Sequence, residues 1–357
     1  MGTFLRPAEL LEVRSKFQSG EIPIAELRQV EDKYIIDLVE KQKKNGLRSI
    51  TDGDFRRGHW IYDFMLGLGG VDVRYAETSR GMTAFLQVVE YIPPGQQKVK
   101  LDRKLHYKEP TTVASYLFLK DKLGFPEAKV CIPSPTLLHF GGTPETAPTI
   151  HETAYPDGGK IGSTFFKDLA ACYRAELKAL YDAGCRYVQL DETSLALMCD
   201  PKWQASVENK GYRFDELLQQ YVDLINDAID IPERAEMTIS MHSCRGNFKA
   251  MWFAQGGYGS VAKALFSDIK IDCHFLEFDT ERAGTFEPLK HLAPNKSVCL
   301  GLITTKTPEL ESKEDVIARI KEAAKIVPLD RLHLSGQCGF ASTHHGIIHY
   351  STMMAEN

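Results

Sequence analysis

Short apolar runs separated by amphipathic stretches of helix length organise this chain. Eight runs read as strands: Gly2–Leu5, RSITDGDF, KVCIPSP, YVQLDE, EMTISMHS, IDCHFLEFD, SVCLGLIT and RLHLSG. Segments with helical periodicity separate the later ones, among them FFKDLAACYRAELKALYDAG, FDELLQQYVDLINDAI and KEDVIARIKEAAKIV. The last of these meets Pro328, which cannot continue a helix, and passes directly into RLHLSG. Strands alternating with helices predict a parallel sheet, because parallel neighbours need crossover connections. Eight such units in 357 residues favour a (β/α)8 TIM barrel. A doubly wound open sheet is the alternative, but no glycine-rich dinucleotide fingerprint follows an early strand. The expected architecture is one catalytic (β/α)8 domain over residues 1–357, with an N-terminal helical segment. A β-rich insertion is expected before the third strand, in VRYAETSRGMTAFLQVVEYIPPGQQKVKLDRKLHY.

This assignment gives the polar residues a common address, since barrels of this kind carry their active sites at the C-terminal ends of the strands. Asp52 and Asp54 end the second strand, Asp191 and Glu192 the fourth, and His242 and Cys244 the fifth. Glu277 and Asp279 end the sixth, Lys306 follows the seventh, and Cys338 follows the eighth in the turn-like SGQCGF. Of the eight cysteines, Cys131, Cys172, Cys185, Cys199, Cys273 and Cys299 read as buried small hydrophobes. His242, Cys244, Glu277 and Cys338 read differently. One imidazole, two thiolates and a carboxylate form a tetrahedral donor set suited to zinc (Zn2+), and Glu277, in the apolar run HFLEF, needs a partner if buried. Two thiolates and a carboxylate more than neutralise the ion, which makes it a poor centre for hydrolysis. Such a centre is suited to binding a substrate thiol and lowering its pKa, which points to S-alkylation.

Composition removes other classes. Hydrophobic residues at 43% and charged residues at 25% are ordinary for a globular protein, and a net charge of −5 with no basic stretch argues against nucleic acid. No apolar run reaches the roughly 18 residues of a membrane span, and MGTFLRPAELLEVR lacks the apolar region of a signal peptide. Dispersed cysteines in a chain of this length are expected to be reduced, which places the protein in the cytoplasm. The tail THHGIIHYSTMMAEN, despite its three histidines, reads as a helix or surface segment and not as a second metal site.

At the metal-ligand residues the chain resembles the cobalamin-independent methionine synthase family, in the single-barrel branch that corresponds to the C-terminal half of the full-length enzyme. His242-Ser-Cys244, Glu277 in FLEFD and Cys338 in QCGF match the family's order and strand ends, and GTFLRP, TDGDFRRGHWIYDF, AGCRYVQLDET and LGLITTKTPELE extend the likeness over nearly the whole chain. The resemblance implies zinc held by His242, Cys244, Glu277 and Cys338. It also implies a homocysteine substrate, its ammonium held by Asp54 and Asp191 and its carboxylate by the loop near Thr3. Two carboxylates aimed at one ammonium give charge-assisted hydrogen bonds and fix the thiol's orientation. The competing assignments are an ion pair of Asp54 with Arg56 or Arg57, and Asp191 as a helix cap. Lys306 stands where the folate-dependent enzymes carry a histidine after the seventh strand, and is expected to orient or neutralise the methyl donor. That donor is left open between a folate and a corrinoid methyl-carrier protein. The alternatives are a transferase that pairs another thiol with another electrophile, for which Arg56, Arg57 and Arg245 are candidate anion ligands, and a non-catalytic zinc-containing barrel.

Overall fold

In chain order the strands are β1 (Leu68–Tyr75), β2 (Gln97–Tyr107), β3 (Lys129–Pro133), β4 (Thr149–Ile150), β5 (Tyr187–Glu192), β6 (Thr238–Ser243), β7 (Cys273–Glu277), β8 (Ser297–Ile303) and β9 (Leu332–Gly336). The computed structural model describes residues 3–75, 97–140, 149–150, 152–157, 162–209, 211–247 and 251–341. The histidine-bearing tail lies outside the described residues. Strands β3, β5, β6, β7, β8 and β9 form one parallel sheet in that order, so each is hydrogen-bonded to the next in sequence. Every residue of β3 and β7 is buried, as expected for strands covered on both faces. These six correspond to the third to eighth expected strands.

The first two expected strands do not form. Residues 3–5 and 48–55 carry no strand, and Gly2 lies outside the described residues. The reason is local: Gly53 has φ +68° and Asp54 has φ +57°, two successive left-handed residues that no β-ladder accommodates. The barrel wall is nevertheless continued across this gap by isolated backbone hydrogen bonds. Phe340 N donates to Thr3 O at 3.0 Å, Phe4 N to Gly53 O at 3.2 Å, and Lys129 N to Ile50 O at 2.9 Å. Going round the ring, these bonds link the segment after β9 to Thr3–Phe4, then to Gly53, and from Ile50 to β3. The α/β barrel reading therefore stands, with a regular arc of six strands and an irregular arc that closes it.

The helices follow the apolar periodicity. Thr164–Asp182 buries Phe165, Phe166, Leu169, Tyr173, Leu177 and Leu180, a stripe at steps of three and four. Phe214–Ala228 buries Leu217, Tyr221, Leu224, Ile225 and Ala228 in the same way. Lys313–Ala323 begins at Ser312, whose hydroxyl accepts from Asp315 N at 3.0 Å. The N-terminal helical segment comprises Ala8–Gln18 and Ile24–Lys44. The expected insertion is also present: β1 and β2 pair antiparallel, with β4 added parallel to β2. Tyr107, the last residue of β2, donates its hydroxyl to Glu176 of helix Thr164–Asp182 at 2.8 Å, fastening the insertion to the barrel. Residues 76–96 of that segment lie outside the described residues.

Candidate metal centre and substrate rim

Three side chains past or at the ends of β6 and β9 converge. The ligand atoms of His242, Cys244 and Cys338 all lie within 4.8 Å of one another, and all three residues are buried. The two sulfurs are 3.8 Å apart. Two thiolates bound tetrahedrally at about 2.3 Å from one zinc ion would stand about 3.8 Å apart, so the spacing fits that ion. His242 Nδ1 faces Phe275 O at 3.3 Å, while Nε2 is buried without a hydrogen-bond partner. A ring that donates through Nδ1 to a carbonyl presents the lone pair of Nε2, the tautomer a metal ligand requires. Hydrogen bonding from the Cys244 thiol, outweighing burial, and the neighbouring His242 hold the Cys338 thiol well below its ordinary pKa; the same bond, together with burial, holds Cys244 well above it.

Glu277, at the end of β7, stands outside this group of three. Its Oε2 accepts from Arg245 N at 2.7 Å, and its Oε1 is met by Arg282 and by Lys306 Nζ at 3.3 Å. Burial pulls its pKa up, but the cations Lys306, Arg282 and Arg245 prevail and hold it at about 2. Lys306 is itself buried; its Nζ makes that ion pair and a longer one to Asp279 at 4.0 Å without a hydrogen bond of good geometry. Arg282 also reaches Asp279 and lies over the half-exposed Trp252 ring at 4.8 Å.

The substrate-rim candidates surround the same centre. Asp191 pairs with His242 on the adjacent strand, so the two share one rung of the ladder. Gln189, two residues earlier on the same face of β5, donates to Asp191 Oδ1 at 2.6 Å and is itself fixed by the Lys129 ammonium at 2.7 Å. Burial raises the Asp191 pKa, against the neighbouring His242 and the Gln189 bond. Asp191 does not cap the following helical turn; Glu192 does, accepting from Leu195 N at 2.9 Å. Thr3 Oγ1 donates to Asp54 Oδ2 at 2.6 Å, and Arg57 lies 3.6 Å from Asp54 Oδ1. Thr3 also touches the loop of Cys338: a Cβ on Gly339 would lie 3.0 Å from Thr3 Cβ.

Sequence reasoning missed Gln189, Arg282 and the buried amides Asn247 and Gln337. For Gln189 the signal was present, in its alternation with Asp191 along one strand face. The three candidate anion ligands are committed internally. Arg56 pairs with Asp32 at 2.5 Å, Arg57 donates to Cys131 O, and the fully buried Arg245 bonds the backbone at Gly256 and Ala283.

Fold and site together define a class, an α/β barrel with two thiols and an imidazole converging beyond the C-terminal ends of its strands. The chain belongs to the family described as cobalamin-independent synthase, catalytic domain, whose model matches residues 148–350. It is 39% identical over 355 residues to the Bacillus subtilis protein YxjH, covering 97% of this chain and 87% of that one. Among solved structures it is similar to the putative vitamin-B12 independent methionine synthase from Listeria monocytogenes, with a TM-score of 0.73 and 37% identity over 99% of this chain and 95% of that one. A B12-independent methionine synthase from Shewanella sp. W3-18-1, solved in complex with selenomethionine, shares the fold at TM-score 0.64 and 19% identity, over 91% and 85% of the two chains. The expectation of a corrinoid carrier protein finds no support in a family described as cobalamin-independent. No helix among the described residues is long and apolar enough to cross a membrane.

Proposed function

We propose that this chain, acting as one catalytic unit over residues 1–357, is a zinc-dependent S-methyltransferase that converts homocysteine to methionine without cobalamin. The observation that carries the reading is the pair of buried thiols 3.8 Å apart beside the unpartnered Nε2 of His242. Zinc bound there supplies a Lewis acid that lowers the pKa of the substrate thiol and leaves the sulfur nucleophilic.

The remaining work falls to the protein. His242, Cys244 and Cys338 hold the ion, and Glu277 is assigned as the fourth protein ligand, its carboxylate steered by Arg245, Arg282 and Lys306. Asp191, oriented by Gln189, and Asp54, oriented by Thr3 and Arg57, bind the substrate ammonium. Thr3 and its loop face the carboxylate. Lys306 orients the methyl donor, a methylated folate in this reading, while the departing nitrogen takes up a proton. None of the eight cysteines is in a disulfide and all are buried, which supports a reducing, cytoplasmic setting.

X-ray absorption at the zinc edge, with and without homocysteine, tests the proposal. The expected result is two sulfur ligands in the resting protein and three with homocysteine. A sphere that stays at two sulfurs would refute homocysteine as the thiol, and protein purified from zinc-replete medium without the metal would refute the centre itself.

A further inference from the structure

We infer that Thr305 is a positioning residue for the thiol pair: its buried hydroxyl, gripped by Asn247 and Gln337, sets the spacing at which Cys244 and Cys338 take a metal ion. The inference rests on the zinc reading and adds to it the device that presets the site. Asn247 Nδ2 donates to Thr305 Oγ1 at 2.9 Å and to Gly339 O at 3.1 Å. Gln337 Nε2 donates to the same hydroxyl oxygen at 2.5 Å, and Gln337 N donates to Ile303 O at 2.8 Å. Thr305 and Gln337 are fully buried and Asn247 is 8% exposed.

The placement of these residues gives the network its meaning. Gln337 and Gly339 flank Cys338, Asn247 follows Cys244 in the loop after β6, and Thr305 immediately precedes Lys306. One hydroxyl therefore ties together the chain beyond β6, β8 and β9. The sheet cannot do this by itself. β6 and β9 are separated by β7 and β8, and both cysteines lie beyond their strands, which end at Ser243 and Gly336. No ladder hydrogen bond sets the distance between the two sulfurs, and among the described residues the Asn247–Thr305–Gln337 junction bridges the two cysteine loops. A valine would fill the threonine's volume, yet a hydroxyl is buried here between two amides whose own oxygens, Asn247 Oδ1 and Gln337 Oε1, find no protein partner.

The test compares Thr305→Val, which keeps the volume and removes the hydroxyl, with Thr305→Ser, which keeps the hydroxyl. Zinc affinity is measured by chelator competition, and the metal-free protein is titrated with arsenite, which bridges two nearby thiols without requiring the histidine. Thr305→Val is expected to weaken both by roughly 10–100-fold, the usual effect of removing support behind a ligand, and Thr305→Ser to restore both. The visible spectrum of the cobalt(II)-loaded protein should change in Thr305→Val and recover in Thr305→Ser. Wild-type affinity for zinc and arsenite in Thr305→Val, or a Thr305→Ser variant as weak as the valine, overturns the inference. If the wild type takes arsenite but not zinc, and Thr305→Val weakens arsenite, the positioning role stands while the zinc reading falls. Should Thr305→Val not fold, Gln337→Met removes one arm of the junction and is judged by the same criteria.

Discussion

The two arcs of the barrel hold their functional side chains by different means. On the regular arc, β5 to β9, ladder hydrogen bonds place Asp191 beside His242 and carry the chain to Cys244, Glu277 and Cys338. On the irregular arc, around Thr3 and Asp54, there is no ladder. Side chains hold the backbone instead: Arg6 donates to Asp54 O and Arg57 O at 3.1 Å, Arg14 binds Phe55 O, and Gln42 exchanges two hydrogen bonds with the backbone of Thr51. Behind them Glu31, fully buried, gathers Arg14, Arg28 and Arg56. The difference teaches a division of labour. A metal ion demands sub-ångström placement of several donors, which the strand ends and the side-chain junction just beyond them provide together. An ammonium anchor tolerates a looser frame, which a left-handed turn with buried ionic support provides.

The comparison breaks first at Cys338. Cys338→Ser is expected to lose nearly all bound zinc and all activity while the far-UV circular dichroism stays unchanged; stoichiometric zinc in the purified variant would remove Cys338 from the site. The next largest effect is alkaline destabilisation of the cysteine-bearing side. Burial pushes the thiols of Cys131 and Cys172 up to about 12 and those of Cys185, Cys199 and Cys273 up to about 11. Residues 3–67 contain no cysteine. Because the folded pKa values are raised, the unfolded chain gives up these protons first. The stabilisation is therefore complete below the ordinary thiol value and is lost as pH rises from about 9 towards 12. At about 1.4 kcal/mol per pKa unit, several groups together amount to several kcal/mol by pH 11. The urea midpoint should fall sharply between pH 8 and pH 10.5, and a steady midpoint would show that these thiols are not protected.

Asp191→Asn sharpens the comparison at the rim. It keeps the hydrogen bond from Gln189 but removes a charge, and is expected to retain zinc while weakening homocysteine binding about 10–100-fold by calorimetry. Unchanged affinity would refute the ammonium role. The smallest effect belongs to the irregular arc. Gly53→Ala places a Cβ 2.4 Å from Leu38 Cδ2 at φ +68°, and should cost about 1–3 kcal/mol in a denaturant titration without altering zinc affinity. A loss of zinc in that variant would mean that the two arcs are not separable.

Much of this is legible in residue order alone. Short apolar runs and period-3.6 stripes located six strands and the helices Thr164–Asp182, Phe214–Ala228 and Lys313–Ala323, because a strand covered on both faces and a helix covered on one stripe leave a direct record in residue order. Placing His242, Cys244 and Cys338 at strand ends was enough to bring them to one rim. The failures are also specific. RSITDGDF reads as a strand-like run, but Gly53 and Asp54 adopt left-handed backbone that breaks any ladder there, and Thr3 binds the Asp54 carboxylate at that turn. That Glu277 is met by Arg282 and Lys306, and that Thr305 joins Asn247 to Gln337, could not be read from spacing either. Residue order determines periodicity, and with it the strands, the helices and which residues end them. Only the closed barrel decides which of those ends meet side chain to side chain, because contacts between residues as far apart in sequence as Cys244 and Cys338 depend on directions in space that no local pattern encodes.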